Sequence, residues 1–351
     1  MSAFRINPVF LAVLVILTFV LAAKAESRPH STFSTQADGQ VVVDGLAFGS
    51  MQAYLNSDYF RLSGKRCGTM SPERIESDQG SAQKSLSDCT TAQTVIQNEY
   101  WPNTVLTIPV VVHIIHKTDG TGNLDDGRIN RQIDVLNKDY AAMAGTLGEE
   151  GFNTMIQFRL ETVTRTANDN WFDDNDEEIY KTALGWDRSR YCNIYVNSAG
   201  GNLGYAYFPQ DSPGVRDGLV IFYDVFGGRR EGIAPYNQGR TAVHEMGHYL
   251  GLYHTFEGYE ACQNTYTTGD LIVDTPAEAE DHYGCTQTST CASPDPIHNY
   301  MNYTDDSCMN QFTREQANRM VCSLLNYRPD LAVDPPKPRP ITPVFMLLLD
   351  D

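Results

Sequence analysis

The chain has 351 residues, 41 % of them hydrophobic, which is enough for a sizeable core and argues against wholesale disorder. Its formal charge is 26 − 44 = −18. That balance speaks against nucleic-acid binding, because phosphate contacts need clustered Lys and Arg. In chain order the first segment is not part of a fold. Arg5 gives a basic start, Phe10 to Ala22 is apolar and Ala23-Lys24-Ala25 fits a small-x-small cleavage pattern, so residues 1–25 are expected to be a signal peptide. The apolar run is short for a membrane span of roughly 20 residues. Later on, Phe345 to Leu349 is a run of only five, so no stable membrane insertion is expected and the protein reads as secreted. Outside the cytosol the eight cysteines can pair.

Residues 26–100 are dominated by Ser, Gln, Thr, Asp and Gly with little apolar periodicity, and read as a pro-segment or loosely ordered arm. The texture changes at Val105. Leu106 to Ile115 is a β-rich apolar run that predicts a buried strand, and Asp125 to Met143 carries Ile129, Ile133, Val135, Leu136 and Tyr140 at helical spacing. Further strands are predicted at 156–160, 193–196 and 219–222, with 201–208 extended. A helix is predicted from Gln238 to Leu250, stopped by Gly251, and another from Thr313 to Asn326. Residues 333–351 form a Pro-rich tail. The pattern is that of one α/β (α+β) domain over 101–332, in two lobes: strands and helices first, a helix carrying histidines in the middle, an irregular cysteine-rich half last.

That middle helix holds the chemistry. His244 and His248 stand at i and i+4, so both imidazoles can face one ion from one side of a helix. Glu245 is offset around the axis and can reach a metal-held water rather than the metal, the place of a general base. His254, at i+10, reaches the same ion only if the chain turns back, which Gly251 permits by adopting φ > 0. Three neutral imidazoles leave one tetrahedral position open, the mark of catalytic rather than structural zinc. A bland helix with satisfied core histidines explains the five-residue His-Glu motif but not the added Gly251 and His254.

The full motif, His244-Glu245-Met246-Gly247-His248-Tyr249-Leu250-Gly251-Leu252-Tyr253-His254, resembles the metzincin zinc signature. Asn299-Tyr300-Met301-Asn302-Tyr303 looks like the Met-turn that lies under the metal in that clan. Within it the chain resembles the pappalysin (cytophagalysin or ulilysin-like) peptidases over residues 105–330. The likeness lies in Ile108 to His113, in Thr255-Phe256 after the zinc motif and in Asp274-Thr275-Pro276, and it continues in Cys308, Gln311-Phe312-Thr313 and Met320. The resemblance implies the zincin fold: a twisted, mostly parallel sheet with the active-site helix in an N-terminal lobe, and a disulfide-bound irregular C-terminal lobe. It implies one Zn²⁺ per chain, Met301 as a hydrophobic base and Tyr303 as a donor to the developing oxyanion, with an ordinary buried tyrosine as the alternative. It also implies that Gly204-Tyr205-Ala206 is the edge strand to which an extended substrate pairs.

The same resemblance implies bridges Cys262–Cys291 and Cys285–Cys308, where sequence alone permits three pairings of four cysteines. It implies that Cys67, in Arg66-Cys67-Gly68-Thr69, is a latent-form zinc ligand; a disulfide such as Cys67–Cys89 is the competing reading, and the pairing of Cys89, Cys192 and Cys322 stays open. Asp270, Asp274, Thr275, Glu278 and Glu280 crowd one loop, as Ca²⁺ ligands or as a solvated acidic surface. Asp305 and Asp306, just past the Met-turn, are expected to line the S1′ pocket and favour Arg or Lys there, though Asp pairs are common in turns. The expectation is a secreted, monomeric zinc endopeptidase acting on proteins and peptides. The alternatives are a catalytically silent zinc-binding or adhesion module on the same scaffold and a hydrolase of small amides. The intact Glu245 speaks against the silent module.

Overall fold

The structure is a computed structural model that describes residues 31–36, 38–70, 88–228, 232–258 and 262–332. The signal-peptide and tail assignments lie outside those residues. The described chain opens on strands β1 (Phe33–Thr35), β2 (Val41–Val43) and β3 (Leu46–Phe48), paired antiparallel in sequence order. Helices α1 (Met51–Leu55) and α2 (Asp58–Leu62) follow, their first turns held by Ser50 and Ser57, whose hydroxyls accept from Ala53 N and Phe60 N. In its described residues the arm is therefore folded, so of the two expectations, a pro-segment or a loosely ordered arm, loose order does not hold for residues 31–36 and 38–70. Its apolar residues are few but large: Phe33, Val41, Val43, Tyr54, Leu55 and Phe60 are all buried in the main core. Composition averaged over the arm hides such a set.

Strand β4 (Leu106–His116) is the centre of the fold. Its β-branched run is buried on both faces, as parallel strands covered by helices are. Helix α3 (Asp126–Tyr140), capped by Asp125, packs Ile129, Ile133 and Leu136 on the sheet. Strand β5 (Ile156–Ala167) runs seven residues beyond its predicted end at 160, because as an edge strand it alternates polar and apolar positions instead of presenting an apolar run. Short helices α4 (Asp169–Phe172) and α5 (Glu177–Leu184) lead to β6 (Cys192–Asn197), β7 (Gly204–Ala206) and β8 (Leu219–Phe222). The sheet order is β5-β4-β6-β8-β7, parallel throughout except β7, which runs antiparallel on the outer edge. Against this sheet lies α6 (Arg240–Tyr249), every residue of it buried. The second half is irregular until α7 (Arg314–Tyr327), which starts with a Thr313/Gln316 capping box.

Two disulfides in the irregular half, Cys262–Cys291 and Cys285–Cys308, are those the resemblance implied. A third, Cys89–Cys322, ties the segment before β4 to α7 and takes Cys89 away from Cys67. Cys67 and Cys192 are unbridged and buried.

Candidate active site

Helix α6 delivers His244, Glu245 and His248 from one surface, and the chain then reverses at Gly251, whose φ of +92° ends the helix. No side chain could replace that glycine, since a Cβ would lie 2.3 Å from Ser323 Oγ. The reversal returns His254 to the other two histidines. His248 Nε2 lies 3.1 Å from His244 Nε2 and 3.0 Å from His254 Nε2. The first of these separations is not a hydrogen bond. His244 Nδ1 is 2.7 Å from Tyr300 O and His248 Nδ1 is 2.7 Å from Leu252 O; both carbonyls can only accept, so both Nδ1 atoms carry the proton and each Nε2 offers a lone pair. Burial, together with the neighbouring imidazoles, pushes His244 well below the usual histidine range, and burial takes His248 down to about 3 and lowers His254 in the same way. The rings are therefore neutral, and lone pairs converging at these distances fit a cation between them. His254 is fixed by stacking: Phe256 lies parallel to its ring at 4.8 Å and Tyr303 meets it edge-on at 4.9 Å.

The floor of this centre is Met301. A Cβ on Gly247 would come within 2.4 Å of Met301 Sδ, so the turn packs against the helix where a glycine leaves room for it. Asn302 holds the next layer, donating both to Glu278 Oε2 at 2.8 Å and to Glu278 Oε1 at 3.0 Å.

Residues 65–69 enter the centre from the folded arm. Leu203 N donates to Lys65 O and Gly68 N to Gly204 O, so this segment runs along β7 in the same direction as the strand. It carries Cys67 inward: its Sγ and the three imidazole nitrogens all lie within 4.8 Å of one another, the single such metal-competent group among the described residues. Burial and the charge of Glu245 raise the Cys67 thiol well above its ordinary value, and it donates to Glu245 Oε2 at 3.4 Å. Thr69 Oγ1 donates to the same carboxylate oxygen at 3.0 Å while accepting from Ala206 N at 2.9 Å. Glu245 in turn lies on β7: a Cβ on Gly204 would sit 2.8 Å from Glu245 Cγ.

Beside Cys67, Arg66 is buried completely, with its guanidinium 4.9 Å from the Tyr236 ring, a 3.3 Å bond to Thr241 Oγ1 and Asp306 Oδ1 at 3.9 Å. Asp306 is also fully buried, and its other oxygen accepts from Gln238 N and Arg240 N at the start of α6. Asp305 is only half-buried, but the Arg66 charge acts on it as it does on Asp306, so both aspartates lie beside the buried guanidinium.

The loop carboxylates are separated. Asp270 is buried and accepts from Thr275 Oγ1 at 2.7 Å and Ile272 N at 3.0 Å. Asp274 accepts from Glu315 N in the first turn of α7, and Glu278 belongs to Asn302 and Thr255. Asp270 and Thr275 meet; Asp274 and Glu278 do not join them, each being taken by a local donor. Sequence reasoning missed Thr69 and Arg66 as site residues, although both stand within two residues of Cys67.

Known proteins put a class to this geometry: that of the metzincin-type metalloendopeptidases with a zinc-binding centre. An extracellular metalloprotease of Trichophyton verrucosum is 35 % identical over 280 residues, covering 75 % of this chain and 92 % of that protein, and one of Pyricularia oryzae is 40 % identical over 234 residues, covering 64 % and 76 %. Among solved structures, mature mirolysin of Tannerella forsythia in complex with a cleaved peptide matches with a TM-score of 0.55 and 32 % identity over 66 % of this chain and 97 % of that one. A promirolysin mutant from the same organism matches with a TM-score of 0.56, 30 % identity and 67 % and 86 % coverage. The family model described as Pregnancy-associated plasma protein-A, peptidase family M43, matches residues 173–325. This chain belongs to that pappalysin family and is a metalloendopeptidase acting on proteins or peptides.

Proposed function

We propose that the chain is the latent precursor of a secreted, monomeric zinc endopeptidase that cuts on the N-terminal side of Arg or Lys. His244, His248 and His254 hold the Zn²⁺, and the observation that carries the reading is the convergence of their three Nε2 atoms on Cys67 Sγ beside Glu245. Zinc in that position supplies a Lewis acid that polarises the scissile carbonyl and acidifies water. Glu245 is the general base: its carboxylate takes the proton of the attacking water and passes it to the leaving amine. Tyr303, whose ring packs on His254 and Phe256, offers its phenol to the developing oxyanion, a role supported by that ring packing beside a zinc-ligand histidine. Gly204 O and Ala206 N, now engaged by Gly68 and Thr69, are the groups to which an extended substrate would pair, with Tyr205 between them. Asp306, 3.9 Å from the Arg66 guanidinium, and Asp305, on which the same charge acts, favour a basic residue after the scissile bond. A calcium ion at Asp270 and Thr275, where the hydroxyl already meets the buried carboxylate at 2.7 Å, would add to the charge that Arg319 brings to that carboxylate.

Residues 1–25 are the signal, the arm from 26 carries latency, and maturation requires loss of Cys67 from the centre. A silent binding module would have no use for Glu245, nor for a threonine that ties it down. Digestion of a peptide library by arm-cleaved protein, with and without chelator and beside Glu245→Ala, tests the reading. Activity that disappears in the variant with zinc retained, by 10²-fold or more, supports it. Undiminished cleavage removes Glu245 from the mechanism.

A further inference from the structure

We infer that residues 31–70 are an inhibitory module whose binding partner is the catalytic unit itself, and that the module stays docked after the chain between Met70 and Asp88 has been cut. The inference rests on the enzyme reading above and adds how its cleft is controlled. Cys67 is the one cysteine of this module and it is unbridged, so nothing covalent would hold the cut piece. Its grip lies in contacts remote from the histidines. The Phe33 ring meets Phe222 edge-on at 6.4 Å. Val43 fills the space over Gly201, where a Cβ would come within 2.9 Å of Val43 Cγ1. Tyr54, fully buried, donates its hydroxyl to Gly201 O at 2.6 Å. Phe60 packs against Tyr236 at 6.1 Å and Tyr283 at 6.5 Å, and Tyr283 donates back to Arg61 O.

Buried aromatic anchors with a satisfied hydroxyl are the kind of contact that dominates stable interfaces. The cleft-facing residues 65–69 form a second grip through Lys65 O, Gly68 N, Arg66 and Thr69. Cutting the link removes only the tether, which amounts to an effective concentration on the order of millimolar. Contacts with a dissociation constant well below micromolar remain closed at micromolar protein. Dissociation of the module, not hydrolysis of the link, is then the activating step.

The test uses the full zinc-loaded chain with a recognition sequence for a site-specific serine or cysteine protease placed after Met70. After cutting, the fragment is expected to co-elute with the catalytic unit in gel filtration at micromolar concentration, with peptide hydrolysis at least tenfold below that reached once the fragment is stripped by dilution or mild denaturant. Phe60→Ala is expected to release the fragment from the cut protein while the uncut chain stays latent. Tyr54→Phe, which keeps the ring and loses only the bond to Gly201 O, is expected to speed dissociation several-fold. Separation of the wild-type fragment at micromolar concentration with immediate full activity overturns the inference. Should the fragment co-elute but the stripped protein hydrolyse no peptide, docking stands and the enzyme reading fails.

Discussion

Thr69 Oγ1 stands between Ala206 N and Glu245 Oε2, accepting from the first at 2.9 Å and donating to the second at 3.0 Å. One hydroxyl thus joins the edge strand to the carboxylate, on the side of the site where Cys67 faces the imidazoles. A hydrogen bond to a charged acceptor contributes about 1.5–3 kcal/mol, or roughly 10–100-fold in an equilibrium. Thr69→Val, which preserves shape, is therefore expected to raise the initial peptide-hydrolysis rate of the intact precursor by about tenfold, and Cys67→Ala by more. A Thr69→Val precursor as silent as the wild type would remove the hydroxyl from latency.

Asp306 is buried beneath Arg66 and cannot be read as an exposed turn residue. Asp306→Asn keeps an acceptor for Gln238 N and Arg240 N but loses the charge. Its kcat/KM for substrates with Arg after the scissile bond should fall about 10–100-fold relative to substrates with Leu there, the scale of one buried charge pair. Equal losses for both substrates would show that Asp306 serves only to hold the start of α6.

Gly247 leaves no space for a side chain above Met301. Gly247→Ala would drive a methyl into the thioether, and overpacking of this kind costs about 1–3 kcal/mol. A melting temperature lowered by several degrees is expected, together with weaker zinc retention on dialysis, because the strain falls between two ligands of one helix.

Asp270 is held up to about 8 and Glu278 to about 7, in both cases chiefly by burial, against ordinary values of 3.8 and 4.5. The folded chain keeps protons that the unfolded chain has already lost, so this part of the stability is present at acid pH and is lost as pH rises through those folded values. The slope is at most about 1.4 kcal/mol per pH unit for each group. Between about pH 7.5 and 8.5, where the buried imidazoles are neutral in the fold and, with an ordinary value of 6.5, largely so without it, calcium-free protein should melt at progressively lower temperature. Millimolar calcium beside Asp270 favours the ionised form and should flatten that decline, and Asp270→Asn should remove the calcium effect and the Asp270 share of the decline. A decline that calcium leaves unchanged would withdraw the cation from this loop.

The zinc helix was legible because its chemistry needs residues at fixed helical spacing: His244, Glu245 and His248 can be placed from geometry, and Gly251 announces the reversal that His254 requires. Buried strands such as β4 were legible for a similar reason, being continuous apolar runs. The far half of β5 was not, since Glu161 and Arg165 are exposed along an edge and break the run. Nor was the folded arm, whose core consists of six residues scattered through a polar stretch. Side-chain roles set by tertiary contact were beyond reach altogether. Nothing near Asp306 in sequence foretells Arg66, and nothing near Thr69 foretells Glu245.

The bridge between Cys89 and Cys322 joins positions 233 residues apart, which makes the catalytic unit a closed loop of polypeptide rather than an open thread. A hydrolase that shares its surroundings with its own copies is exposed to stray nicks on surface turns. Within such a loop, one broken peptide bond leaves a single covalent molecule, its two stretches still joined through sulfur. A worn enzyme of this build would lose its connectivity only at the second cut.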